Sequence, residues 1–217
     1  MLDYFANFFE LFAFLSCAYA YKKLDSNFKM FLPFLTFVIV YEFINAFFLN
    51  LVLRHHSNAW CNNLESLLEF LVYGRFMASL DKRKAYKRKV YITVAAGIII
   101  TFVDIFFIHG FWMLGTVAII IQNMIRAVLV FNYYYSLVNS LDDYPDLISY
   151  PPFLATTGLV VYSLVNCFYF ITFDYLVYRK NYTFPMTVYI IHELSCVFLY
   201  SLLGVSFLCF LRPKKLA

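Results

Sequence analysis

Residues Asp81 to His109 read DKRKAYKRK then VYITVAAGIIITFVDIFFIH: a basic run, Lys82, Arg83, Lys84, Lys87, Arg88 and Lys89, followed by an apolar stretch, Val90 to His109, whose only formal charge is Asp104. A stretch of about 20 apolar residues is the length at which a helix crosses the hydrocarbon of a bilayer. Lys and Arg packed against one flank mark the cytoplasmic side of such a helix. The pair of features predicts a membrane-spanning helix that leaves the cytoplasm at Lys89.

The rest of the chain repeats the pattern. Its 217 residues are 63% hydrophobic and 14% charged, with a mean hydropathy of +0.73, which lies outside the range of soluble domains. At about 20 to 25 residues per span the chain has room for seven helices and short turns, and for no soluble catalytic or binding domain. Apolar runs and their interruptions place those helices at about 4–21, 30–53, 60–80, 90–109, 111–137, 153–173 and 186–211. The expected fold is therefore all-α, a single polytopic domain over residues 1–217. With 27 Phe and 19 Tyr against 6 Gly and 6 Pro, the helices are bulky and mostly unbroken, and close-packed glycine seams are scarce.

Charge orients the bundle. Lys22, Lys23, Lys29, the run from Lys82 to Lys89, Arg212, Lys214 and Lys215 fall on one side, and only Arg54, Arg179 and Lys180 on the other. The expectation is N-out and C-in. The first apolar run has no basic residue before it, only Asp3, and Lys22 and Lys23 follow it. That order is expected of a retained helix rather than a cleaved signal, despite the sequence Ala18-Tyr19-Ala20. Five cysteines, odd in number and mostly within spans, do not read as a disulfide framework.

Polar residues inside spans carry what the sequence says of mechanism, because insertion of a charged side chain at mid-bilayer costs roughly 2.5 to 3.5 kcal/mol. In the third span Asn62, Glu65 and Glu69 recur at steps of three and four, a polar stripe along one face. The fifth contributes Gln122, Asn123 and Arg126, and the second Glu42 and Asn45. The bland reading is a buried ion pair, Arg126 with Glu69 or Glu42, that fixes helix register. The sharper reading is a proton or cation path through Glu42, Glu65 and Glu69, since carboxyls outnumber cations within the spans. An outer group, Asp104, His192, Glu193 and Cys196, is likewise richer in acid than base.

His192 and Cys196 lie one helical turn apart, a spacing at which two side chains can share a metal, and His55, His56 and His109 lie toward the same side. In this the chain is similar to seven-helix intramembrane zinc hydrolases. It departs from them at Cys196, where their last helix carries a second His, so no metal set and no cofactor is assigned. The absence of a lysine within the last span excludes a retinal Schiff base. Matched Gly or Pro breaks in two halves, usual in inverted-repeat transporters, are lacking.

Two loops are candidate docking segments. The basic run from Lys82 to Lys89 is first a topogenic loop against anionic headgroups, and second a dock for an acidic protein or a ribonucleoprotein. The loop at 138–152 is acidic, with Asp142, Asp143 and Asp146 around Pro145. Topology rules do not call for acid there; the loop is first a plain solvated turn, and second a dock for a cytoplasmic partner. The bilayer is the one certain partner of such a chain, and self-association is left open.

Asn62, Asn63 and Glu69 in the third span, the turn Phe107-Ile108-His109-Gly110-Phe111, and Ile190-Ile191-His192 in the last resemble a family of small, uncharacterised seven-helix bacterial membrane proteins. Some similar proteins are encoded beside RNA-targeting type VI CRISPR effectors and act as their accessories. The resemblance implies an inner-membrane location, a role in antiviral defence and functional positions at Glu69 and His192. Glu193 stands where that pattern has an amide. The expected function is thus a non-enzymatic, membrane-embedded accessory or effector. The alternatives are a proton-coupled or cation-conducting transporter or channel, and an intramembrane metal-dependent hydrolase.

Overall fold

The computed structural model describes residues 2–44, 59–110, 112–139, 147–179 and 185–212. Asn45, Arg54, His55, His56, Phe111, Lys180, the acidic centre of the 138–152 loop, Lys214 and Lys215 lie outside them. The described residues form helices with no strand: α1 (Leu2–Ala20), a single turn α2 (Ser26–Lys29), α3 (Phe31–Ile44), α4 (Ala59–Leu80), α5 (Lys84–Val103), α6 (Thr116–Asn139), α7 (Pro151–Tyr178) and α8 (Met186–Cys209).

Boundaries depart from the apolar runs in three places, each for a local reason. Helix α5 starts within the basic run, because Lys and Arg are good helix formers and their stems lie along apolar surface while the charges reach water. It ends in a π-helical turn, Asp104–Ile108. Helix α6 starts at Thr116 rather than 111, behind a turn in which Gly110 takes the left-handed φ of 89°. Helix α7 starts on Pro151 and Pro152, whose missing N–H groups cost nothing in a first turn, and continues to Tyr178 past Asp174.

Contacts run from α1 to α3, α3 to α4, and onward through α5, α6 and α7 to α8, which returns to α1, so the helices close a ring; α4 also touches α6. Short connections between contacting helices make neighbours antiparallel. One end of the ring therefore collects the basic run together with Lys22, Lys23, Lys29 and Arg212. The other collects the start of α4 with the ends of α5 and α7. Helices α7 and α8 meet backbone to backbone at Gly158, where a Cβ would stand 3.1 Å from the Leu199 Cα. The ring of α1 likewise leans over Gly204 of α8 through Phe12.

The outside of this ring is unlike that of a water-soluble protein, and polar side chains lie among the buried apolar ones. Phe8, Ile99, Phe107, Val128, Leu164 and Phe168 are exposed, whereas Glu69, Asp104, Gln122, Asn123, Arg126 and Asn166 are buried. Water would favour the opposite arrangement; lipid favours this one. Five helical stretches are long and apolar enough to cross a membrane: Ser26–Ile44, Lys84–Ile108, Thr116–Asn139, Pro151–Tyr178 and Met186–Cys209. Helices α1 and α4 do not reach that measure. Among the described side chains α1 is apolar over Phe5–Ala20, and α4 carries Glu65, Glu69 and Arg75 along its length. These features are consistent with a multi-pass membrane protein.

The basic half of the ring interior is filled by aromatic side chains. Phe28 lies 5.2 Å from Phe76 and 4.9 Å from Phe210, and Phe31 lies 5.0 Å from Phe76, centroid to centroid. Phe28, Phe31, Phe76 and Phe207 are essentially inaccessible. Edge-to-face pairs of this kind add to area burial and leave no room for solvent. The opposite half is not filled.

Candidate intramembrane polar cavity

The unfilled half holds a cavity of about 670 Å³ whose wall draws on α1, α3, α4, α6, α7 and α8. Helical spacing delivers the side chains. Asn62, Glu65, Ser66 and Glu69 share the inward face of α4, Asn123 and Arg126 that of α6, and His192, Glu193 and Cys196 that of α8. Glu42 enters from α3. The structure also adds residues that the sequence reading passed over as a site: Asn7 and Glu10 on α1, and Tyr162, Asn166 and Tyr169 on α7. Both sets repeat at three- or four-residue steps, a signal that was present in the sequence.

At the deep end Arg126 Nη1 lies 2.8 Å from Glu69 Oε2, and both side chains are nearly inaccessible. The guanidinium stands over the Tyr162 ring, 5.8 Å from its centroid. This contact joins α4 to α6 across the ring. It is an ion pair by distance, and neither Arg126 Nε nor Nη1 has a well-aligned hydrogen-bond acceptor. Arg126 is the only Lys or Arg among the lining residues described. Glu10 lies within electrostatic range of Glu42, Glu193 and Glu69, and Glu65 within range of Glu42, Glu69 and Glu10. His192 Nδ1 is 3.4 Å from Glu193 Oε1, and its ring packs on Tyr169 at 4.3 Å. Nearer the rim the Tyr41 hydroxyl donates to Asn62 Oδ1 at 2.6 Å.

Gln122 and Asp104 do not belong to this wall. Gln122 turns toward α5, accepting from the Ser66 hydroxyl at 2.8 Å and donating to Thr101 Oγ1 at 2.7 Å, so it ties α4, α5 and α6 together. Asp104, fully buried, forms a separate lock beneath the start of α6. Its Oδ1 lies 2.6 Å from His109 Nδ1, and its Oδ2 accepts from the Ala118 backbone N–H at 2.8 Å. Asn63 brackets the same turn, accepting from Gly115 N–H and donating to the Met113 carbonyl, both at 2.9 Å. Thr116 donates to Asp174 Oδ1 at 2.9 Å and so attaches α7. The outer acidic group of the sequence therefore separates: His192, Glu193 and Cys196 face the cavity, Asp104 and His109 the lock.

His192 and Cys196 share the wall, but among the described residues no three His, Cys, Asp or Glu side chains are grouped to hold a metal ion. At the other end of the ring Lys82, Arg83, Lys84, Arg88 and Lys89 are exposed and Lys87 is partly covered. Arg83 forks onto Asp81 and also donates to Ser136 Oγ at 2.8 Å. Its hydrogen bonds hold the Asp81 carboxyl below the usual aspartate range.

No family model matches the chain, no curated protein matches it, and no solved structure resembles it.

Proposed function

We propose that the chain is a seven-span, N-out and C-in protein of the bacterial inner membrane whose internal cavity binds cations and moves them across the bilayer. One observation carries this reading: Glu10, Glu65 and Glu193 share a wall whose only described Lys or Arg, Arg126, already faces Glu69. In a water-poor cavity carboxyls need a proton or a bound cation to be neutral. With N-out topology the cavity opens from the outer half, and the Phe28, Phe31, Phe76 and Phe207 plug separates it from the cytoplasm. The Arg126 guanidinium competes with an arriving cation for Glu69. Occupancy at that depth therefore acts on the contact that joins α4 to α6, and gives the bundle a route to rearrange.

Orientation is tested by labelling intact cells with a membrane-impermeant maleimide. Cysteine introduced by Arg179→Cys is expected to react and that by Lys82→Cys to be protected; the reverse pattern would overturn N-out. Transport is tested in proteoliposomes with a pH-sensitive dye and a thallium-sensitive dye. Cation flux is expected, reduced about tenfold or more by Glu65→Gln, which corresponds to about 1.4 kcal/mol or more at the rate-limiting site. Absence of flux, or flux indifferent to Glu10→Gln and Glu65→Gln alike, would remove the reading.

The exposed basic end supports a second role. Six cations over nine residues suit an acidic protein or ribonucleoprotein, as the resemblance to accessories of RNA-targeting effectors implies. A partner seated there would sit over the closed end of the cavity, so the two roles combine in an effector whose ion movement is released by its partner.

A further inference from the structure

The cavity has the dimensions of an organic-ligand pocket. Its volume of about 670 Å³ falls within the roughly 300 to 1,000 Å³ of such pockets and exceeds that of one water, about 30 Å³, many times over. A desolvated metal ion needs converging ligands, yet among the described residues no three acidic, His or Cys side chains converge. The carboxyls are instead distributed: Glu10 comes from α1, Glu65 from α4 and Glu193 from α8.

Two further groups on the same wall point to the kind of cation. Asn123 is fully buried and Asn166 nearly so, and neither side-chain oxygen has a donor. Asn123 gives its amide nitrogen to the Ile119 carbonyl at 2.9 Å, which fixes the direction of its oxygen. Buried acceptors without donors are uncommon and costly, so such oxygens call for an N–H or O–H from whatever fills the space. Aromatic side chains, Tyr162, Tyr169 and Phe170, line the wall beside Asn166. Aromatic faces attract ammonium groups and shelter methylene chains.

We infer that the ligand of this cavity is an organic polyamine, a flexible chain with two or more ammonium groups. The inference rests on the cation-binding reading above and names the ligand for that site. Separated carboxyls match separated ammonium groups, each of which brings several N–H donors that bond most strongly to charged acceptors. Glu65 and Glu193 take different ammonium groups, the Asn123 and Asn166 oxygens accept remaining N–H bonds, and the methylene segments lie on the α7 aromatics. Arg126 marks the end of the site by repulsion.

The test is equilibrium binding of radiolabelled spermidine to the full chain in nanodiscs, with putrescine, K⁺, Mg²⁺ and tetramethylammonium as competitors. Saturable binding is expected, displaced by putrescine and not by equal concentrations of K⁺ or Mg²⁺. Glu65→Gln and Glu193→Gln are each expected to weaken it about tenfold or more, the loss of one charge-assisted hydrogen bond. Asn166→Leu, which leaves every charge in place, is expected to weaken it about fivefold, and this keeps the test decisive if a carboxyl variant does not fold. Flux of H⁺ or K⁺ in liposomes with no spermidine binding would overturn the polyamine assignment and leave cation transport standing. Absence of both would overturn the two together. Spermidine bound equally by the wild type and all three variants would place it elsewhere and overturn the site.

Discussion

Glu69→Leu is expected to destabilise the protein by about 3 to 5 kcal/mol, more than Arg126→Leu, while the double substitution recovers most of the loss. The asymmetry follows from chemistry. Once Glu69 is gone, Arg126 is a guanidinium buried to 1% exposure that cannot release its proton in a protein. Its remaining support is the Tyr162 ring at 5.8 Å, worth roughly 2 kcal/mol when desolvated. Loss of Arg126 is expected to cost less, because a carboxyl has a neutral form and a guanidinium in a protein has none. Removing both leaves an apolar contact between α4 and α6, and buried ion pairs replaced in this way are often neutral or better. Unfolding of the four proteins in the same detergent gives the coupling energy directly. Single variants within about 1 kcal/mol of wild type would mean that cavity water solvates the pair, and the α4 to α6 contact would lose its place in the proposed gating.

Asp104→Ala is expected to cost about 3 kcal/mol and Asp104→Asn distinctly less. The first N–H groups of a helix have no partner within it, and Asp104 Oδ2 supplies one to Ala118 at 2.8 Å. A carboxylate at that position also meets the positive end of the α6 dipole. Alanine removes both this bond and the 2.6 Å contact to His109, at about 1.5 to 3 kcal/mol for each hydrogen bond to a charged group, with some overlap. Asparagine keeps an acceptor for Ala118 and loses the charge. The loss is expected to be local, so hydrogen exchange in Asp104→Ala rises over residues 115–119 before the rest of α6. Unchanged exchange there would show that Asn63 holds the turn alone through Gly115 and Met113.

Much of the candidate site was legible from helical spacing, and its limits were physical. Asn62, Glu65 and Glu69 form one face in any α-helix, so their common orientation needed no fold. Spacing within α6 does not distinguish Gln122 from Asn123, adjacent residues about 100° apart on the helix, yet one ties α4 to α5 and the other lines the cavity. Asp104 and His192 illustrate the same limit between helices. Both lie toward the same end of the ring, but Asp104, in the π-helical turn after α5, reaches the start of α6, whereas His192 lines the cavity. Asp174 lies just past the apolar run at 153–173, so span length gives no reason to place it on a helix, and only the fold brings it to Thr116.

By itself the sequence determined a chain of long helices with apolar exteriors and polar stripes, because span length, charge flanks and the 3.6-residue period are local properties. The tertiary structure alone decided that the stripes of six helices meet around one cavity, that Arg126 faces Glu69, and that aromatic side chains fill the other half of the ring. Those outcomes depend on the order and rotation of helices around a closed ring, which are set by contacts between residues far apart in the chain.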